Sequence, residues 1–556
     1  MTSVSMKYIL KYPILLIVII PAFILTLIRF ILDGQNGCIA DQCGFIVGTN
    51  YRDGIWFQAV ASTAFTTWPF QMPNFAGAEL SGYHYLPNLI TYLLSKIGIP
   101  IPVTFYKIIP IVFMTGLTLL SISLARKVKD DIRFVLLFLF FIFFGMHLSL
   151  IVSLYHYGII QNHALINTFQ ATRLLESPHT ALALLALLGT LIISFKPKRS
   201  LQDIAMTSIL LFLTIGTKFY VAFSMATILL VFELLTLLKT KDIHIFIRNS
   251  FMYGAASVIA LSLFYNPFQA SANGSIFTFA PFATVHHLIE TSDLFYNNNL
   301  VLARYYLYEH GWSPRLVGIE VYSVLLFVMY YFGTRIIGFV QILQQVMKRR
   351  IDNLEIAITI SIIVSIVMSV MFIQQGDWFN PIQFAVPAAF LMNLFAAKFL
   401  YELLCKYKKI GYVMIVVFVL LTLPANLINL SYLTHPARLV ISYPEMNALK
   451  FLKEQPDGSV FVPTDGIDMA YVTAFSQKPS YFIYENGATN AGIDIKARAT
   501  IAKEHPAELI EKNQVDYLYI PHAYEKQTEL IDACTRSTNY DIIFKNEEVS
   551  ICSHIK

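Results

Sequence analysis

YRDGIWFQAVASTAFTTWPFQMPNFAGAELSGYHYLP, residues Tyr51 to Pro87, decides how the rest of this chain is read. It lies between two very apolar segments and carries an aspartate, a histidine, two tryptophans and several prolines. Asp53 opens a short amphipathic run, Gly54 to Phe65, too short and too polar to cross about 30 Å of hydrocarbon. Pro69, Pro73 and Gly77 then break the chain, and Tyr83-His84-Tyr85-Leu86-Pro87 leads into another apolar helix. The pattern predicts a loop folded back along a membrane surface, with amphipathic helices lying in the interface. By composition alone the same stretch also serves as a plain tether between two membrane spans.

Outward from the loop, runs of about twenty apolar residues recur, each long enough to cross a bilayer. Of the 556 residues 56% are hydrophobic and 13% charged, which makes this a polytopic α-helical membrane protein. No basic stripe is interleaved with aromatics, so the pattern is not that of a nucleic-acid interface. Before the loop, Tyr8 to Leu32 reads as an uncleaved anchor, because the apolar run is too long for a signal-peptide core and no small-residue cleavage site follows. After it, Pro87–Ile97 ends at Gly98-Ile99-Pro100 and is too short to cross, so it reads as a re-entrant or interfacial helix. Further spans are expected at about 105–125, 134–154, 178–195, 203–217, 219–238, 250–266, 316–343, 354–373, 381–404 and 411–430. That makes about eleven spans in all.

Basic residues favour the cytoplasmic side. With this count Lys7, Lys11, Arg126-Lys127-Lys129-Arg133, Lys196-Lys198-Arg199, Lys239-Lys241-Arg248, Lys348-Arg349-Arg350 and Lys406-Lys408-Lys409 share one face. The other face holds the scattered Arg52, Arg173, Arg304, Arg315 and Arg438. A crossing by Pro87–Ile97 would move every cluster from Arg126 onward to the wrong side. The amino terminus is therefore expected in the cytoplasm, with the loop and the carboxy-terminal segment outside.

From about His435 charged residues become frequent and no membrane-length apolar run remains. Pro444–Lys453 reads as a helix with proline suited to its first turn. Strand-like runs follow at Ser459–Val462, Ser480–Tyr484, Val515–Ile520, Asp541–Phe544 and Val549–Cys552, with helical patterns near 494–513 between them. The division expected is a membrane domain over 1–434 and a small extracytoplasmic α/β domain over 435–556. The latter carries no G-x-G-x-x-G, P-loop or nucleophile elbow, and reads as a structural or substrate-shaping cap. Cys38 and Cys43 fall in the first outer loop, Cys534 and Cys552 in the outer domain, in the even numbers that pairing on an oxidising side requires. Cys405, near a cytoplasmic span end, reads as a buried free thiol. No His/Cys spacing points to zinc.

Ionisable residues at the outer ends of spans are costly and are functional candidates. Asp53 is one. Glu176, in Leu174-Leu175-Glu176-Ser177-Pro178-His179-Thr180, is another, although an acidic residue beside a helix amino terminus is also simple dipole chemistry. Lys218, in Gly216-Thr217-Lys218, could equally snorkel to headgroups. His84 could equally be an aromatic-belt companion of Tyr83 and Tyr85. Arg304-Tyr305-Tyr306, Glu309-His310-Gly311-Trp312 and Asp377-Trp378 are further outer clusters. His156, His163 and His179 share the second outer loop, without a spacing that makes them metal ligands.

In order along the chain these pieces resemble the polytopic GT-C glycosyltransferases that use polyprenyl-phosphate sugars. The likeness is nearest to the branch of protein O-mannosyltransferases and lipid A aminoarabinose transferases. It rests on Asp53 near the start of a long first outer loop, and on His84-Tyr85-Leu86-Pro87 before a proline-led helix. Leu-Ser-Lys-Ile-Gly, the span ending Leu-Ala-Arg-Lys, Leu-Leu-Glu-Ser-Pro-His-Thr and Gly-Thr-Lys at 216–218 follow in sequence. It covers about residues 8–240, and the rest more loosely. Glu176 stands where the family more often has Asp, and one proline stands where it often has two.

The resemblance implies an inverting sugar transfer on the outer membrane face, from a polyprenyl-phosphate donor to a hydroxyl of a glycan, lipid or protein acceptor. Asp53 would be the general base. Lys218, with His84 or Arg304 nearby, would stabilise the departing phosphate. Tyr85, His179 and Tyr305 would line the substrate site. Glu176 would orient the acceptor or hold a divalent cation, for which oxygen ligands favour Mg or Mn. A transporter or flippase would instead show paired repeats and charged or broken helices near the midplane. A non-catalytic scaffold of envelope-glycan assembly would keep the fold without the chemistry.

Overall fold

The computed structural model describes residues 2–555 apart from 40, 49–50, 147, 159–170, 197, 266–276, 292–294, 375–379, 432–438, 464–468, 484 and 491–492. Among the described residues six helices are long and apolar enough to cross a membrane. They are Ile101–Val128, Phe219–Thr240, Ile243–Phe264, Pro314–Met347, Asn353–Met371 and Asn380–Lys406. Each coincides with a span expected from hydropathy. Lys408–Ser431 is a further long helix, while Ile132–Phe144, Pro178–Ser194 and Leu201–Thr217 are apolar but shorter. The eleven expected spans are thus met in part.

Two of the expected spans are broken. Tyr8–Leu32 is not one straight helix, because the chain turns by 99° between Ser5–Lys11 and Pro13–Leu27. Pro13 has no N–H to donate, and its ring crowds the carbonyl four residues back, so the first helix stops and a new one starts with proline in its first turn. The expected span 134–154 divides into Ile132–Phe144 and Ser149–Tyr157. Here the break is held from elsewhere in the chain. Fully buried Arg335 donates to the carbonyls of Gly145 and Phe332, and through Nε to Asn393 Oδ1 at 3.1 Å. The Thr334 N–H donates to the Met146 carbonyl at 2.9 Å. Away from water, backbone groups freed at a helix break must find such partners.

The loop before Pro87 departs furthest from its expected form. Gln35–Ile39 and Gln42–Gly48 make a hairpin closed by the Cys38–Cys43 disulfide, and the second strand pairs antiparallel with Leu439–Ser442. Gly44 permits that pairing, since a Cβ there would collide with the Ile441 carbonyl. The helix Tyr51–Thr63 follows and packs on both Leu86–Lys96 and the carboxy-terminal helix Ala470–Ser476. Every residue from Gly54 to Phe65 is buried. Ile55 and Ala59 join Val47, Ile441, Leu449 and Tyr471 in one core, while Trp56, Phe57, Val60 and Phe65 join Phe105 and Phe113 in another. The run is therefore a connector buried in protein, not a helix lying on lipid. A helix of 13 residues is marginal alone. Burial stabilises it by ~1.5–3 kcal/mol for each large apolar side chain.

Beyond Leu439 the helix Tyr443–Glu454 covers the expected Pro444–Lys453. A four-stranded sheet has the order Val460–Phe461, Tyr517–Pro521, Val549–His554, Tyr540–Lys545, with the first pair parallel and the others antiparallel. Ser480 makes only an isolated bridge to Val460 rather than opening a strand. The helix Ala470–Ser476, which sequence patterning passed over, is almost wholly buried. Cys534–Cys552 ties helix Gln527–Arg536 to the sheet across 18 residues, a closure worth ~3 kcal/mol in chain entropy.

Cys405 is exposed, not buried as expected, because it lies one residue past the last buried position of helix Ala385–Lys406. Thiol titration of denatured protein kept free of reductant should therefore find one reactive cysteine, Cys405. Reduction should raise the number to five. Three or more reactive thiols before reduction would reject these pairings.

Candidate active site

Gly216-Thr217-Lys218 closes helix Leu201–Thr217, and Lys218 is also the cap before Phe219–Thr240, in extended backbone with φ −161°. At Gly216 a side chain would meet the Phe264 ring, so glycine lets the helix Ile243–Phe264 pack closely here. Lys218 is 8% exposed. Its Nζ lies 5.6 Å from the centre of the Tyr220 ring, and the Tyr220 hydroxyl donates to Gln374 Oε1 at 3.2 Å. Asn380 Nδ2 donates to the same oxygen at 2.6 Å. Lys218 stands between the two helices, outside either one. Burial pushes its ammonium down to about 8, and the Asp53 carboxylate opposes that fall. Asp53 is exposed in the first turn of Tyr51–Thr63, where a helix amino terminus favours negative charge.

His84 and His179 border the same space, and both feel the charge of Lys218. Their rings meet edge to face with centres 5.3 Å apart. Tyr83 stacks on His84 at 4.7 Å, Phe57 tilts against His179 at 4.2 Å, and Trp56 Nε1 donates to the Tyr83 hydroxyl at 3.2 Å. Asn88 Nδ2 donates to the Phe57 carbonyl at 2.8 Å, which leaves its Oδ1 to accept from His179 Nε2 at 2.6 Å. His179 accordingly carries its proton on Nε2. Burial first, then Lys218 and His179, hold His84 well below the usual imidazole value. Near neutral pH it is uncharged, and it is not the second cation that the sequence allowed. Lys218 carries that role among the four.

The other expected site residues are placed differently. Tyr85 is buried against Phe65, Phe70 and Phe264 and donates to the Leu263 carbonyl at 3.0 Å, so it pins the loop to helix Ile243–Phe264. Glu176 ends the helix Ala171–Glu176 half-buried, three residues before His179. Arg304 pairs with Glu290, and its guanidinium lies 4.5 Å from the ring centre of Tyr305, which is itself exposed. The described contacts of Arg304 are thus with Glu290 and Tyr305, not with Asp53, His84, His179 or Lys218. His163 and Asp377-Trp378 lie outside the described residues.

Asn88, Tyr220 and Gln374 were not legible as site residues. Asn88 follows Pro87 in a helix start and Tyr220 follows Lys218 by two, weak signals at best. Gln374 arrives only because Phe372–Gln374 pairs with Phe277–Phe279. Among the described residues no group of three or more His, Cys, Asp or Glu side chains is placed to hold a metal ion.

The fold is similar to that of the archaeal oligosaccharyltransferase AglB from Archaeoglobus fulgidus, solved in complex with an inhibitory peptide and a dolichol-phosphate. The TM-score is 0.50 at 12% sequence identity, over 92% of this chain and 70% of that one. The likeness is one of fold, and it agrees with the polytopic helical architecture with a carboxy-terminal sheet expected from the sequence. The likeness does not single out the branch of O-mannosyltransferases and aminoarabinose transferases. No protein-family model and no curated protein matches the sequence.

Proposed function

We propose that this chain is a membrane glycosyltransferase that moves a sugar from a polyprenyl-phosphate donor to an acceptor hydroxyl at the extracytoplasmic face. The observation that carries the reading is the placement of exposed Asp53 within the field of buried Lys218, beside the uncharged His84 and the His179 ring that donates to Asn88. An acceptor hydroxyl attacks the anomeric carbon as its proton passes to Asp53. The bond from that carbon to the phosphate oxygen breaks, and the polyprenyl phosphate leaves with the electron pair. One displacement inverts the anomeric centre. The leaving group is already anionic, so Lys218 stabilises it without donating a proton. Glu176, at the mouth of the His179 helix, orients the acceptor.

The fold likeness supports a lipid-phosphate donor, because the AglB structure was solved with a dolichol-phosphate. Native mass spectrometry of the purified chain tests the reading. A bound polyprenyl phosphate, and transfer of labelled sugar from a total lipid-linked sugar extract, is the expected result. Protein that carries no such lipid and transfers no sugar would replace this reading with a transporter or a scaffold.

A further inference from the structure

We infer that the carboxy-terminal domain clamps the loop that carries the site, and that Arg498 is the positioning residue of the clamp. The inference rests on the glycosyltransferase reading for its chemistry, not for its geometry. Residues 73–76 and 480–483 run side by side. Ser480 N–H donates to the Pro73 carbonyl at 2.8 Å, Ala76 N–H to the Ser480 carbonyl at 2.8 Å, and Ile483 N–H to the Asn74 carbonyl at 3.1 Å. Asn74 Nδ2 adds a bond to the Ile483 carbonyl at 3.0 Å.

Arg498, on helix Lys496–Glu504, locks this ladder from both sides. Its guanidinium lies 4.1 Å from the ring centre of Phe75 and 4.6 Å from that of Tyr481. One terminal nitrogen donates to the Ala76 carbonyl at 2.8 Å and to the Tyr481 carbonyl at 2.9 Å. One side chain therefore grips the loop and the domain at once. Such a grip needs a planar, stackable cation, which Lys does not supply.

The gripped segment is the tip of a hairpin. Gln71 bridges Glu79, Met72 N–H donates to the Ala78 carbonyl and Leu80 N–H to the Phe70 carbonyl, each bond at 2.8 Å. That hairpin joins the helix bearing Asp53 to Tyr83 and His84. It is pinned on its far side by Tyr85 at the Leu263 carbonyl. A connection this long without helix of its own is typically functional or disordered, and here the domain holds it in one form. Misplacing a reacting group by about 1 Å costs ~10²-fold in rate, so losing the grip should reach the chemistry through geometry alone.

The test is R498A in the full chain, with two readouts. Hydrogen exchange of residues 69–80 should quicken while strand Tyr517–Pro521 stays protected. The kcat for sugar transfer should fall ~10–100-fold with the KM for the lipid donor little changed, because Lys218 is untouched. R498K should recover only a minor part. If R498A unfolds the domain, Phe75→Leu, which keeps an apolar side chain and removes the ring, should give the same pattern more weakly. Parental exchange in 69–80 overturns the clamp. Faster exchange with parental kcat overturns the positioning role. Faster exchange in a chain whose parent transfers no sugar keeps the clamp and rejects the glycosyltransferase reading instead.

Discussion

Asp53→Asn should lower sugar transfer by ~10²–10⁴-fold, the usual contribution of a general base, while the lipid donor still binds. The two side chains are nearly the same size, but the amide accepts no proton at neutral pH. Asp53 is exposed in a first helical turn, and its carboxylate supports the charge of buried Lys218. The lost interaction with the helix amino terminus amounts to ~0.3–1 kcal/mol at most, too little to unfold the chain. Removing the carboxylate removes the anion that competes with phosphate for Lys218 but also the charge that helps keep the ammonium protonated, so donor binding should persist without a large change. The check is transfer rate and polyprenyl-phosphate binding on equally expressed proteins. A parental rate in Asp53→Asn means that the loop is not the catalytic site.

Lys218→Ala should fail in a different way, weakening donor binding as well as turnover. A hydrogen bond from a charged group contributes ~1.5–3 kcal/mol, which is ~10–100-fold in affinity. The field of the ammonium acts in a protein environment of lower effective dielectric than water, which strengthens it. The protonated ammonium is the form that holds phosphate. Its value near 8 in the free protein means that affinity is fully present below that pH and declines as pH rises through it. Bound phosphate will move the fall somewhat higher. Lys218→Arg should keep part of the affinity and lose the alkaline decline, because arginine stays charged. Donor titrations from pH 6 to 10 on the three proteins decide it. Equal affinity for Lys218→Ala and parent, or a flat parental profile, would remove Lys218 from the phosphate site.

Several features were legible without coordinates because they depend on neighbours in sequence. A helix in lipid satisfies its own backbone, so apolar runs alone located Ile101–Val128, Phe219–Thr240, Asn353–Met371 and Asn380–Lys406 within a few residues. Alternation located the strands of the carboxy-terminal sheet for the same local reason. Parity on one side of the membrane anticipated that Cys38, Cys43, Cys534 and Cys552 would pair. Asp53, His84, His179 and Lys218 stood out because each is polar where polarity is expensive.

What surrounds those residues came only from the fold. Hydropathy cannot tell a face that meets lipid from one that meets protein, so the buried fate of Gly54–Phe65 waited on Ala470–Ser476 packing against it. Arg304 looked available until Glu290 was found beside it. The charge of His84 turned on its burial first and then on Lys218, far away in sequence, and the proton of His179 on the second bond made by Asn88. Asn74 and Ile483 stand 409 residues apart, yet their bond helps hold the site loop. Apolar runs report the solvent a segment needs, and that is a local property. Pairing of charges, burial of faces and placement of protons depend on what lies within a few ångströms in space, which only the folded chain decides.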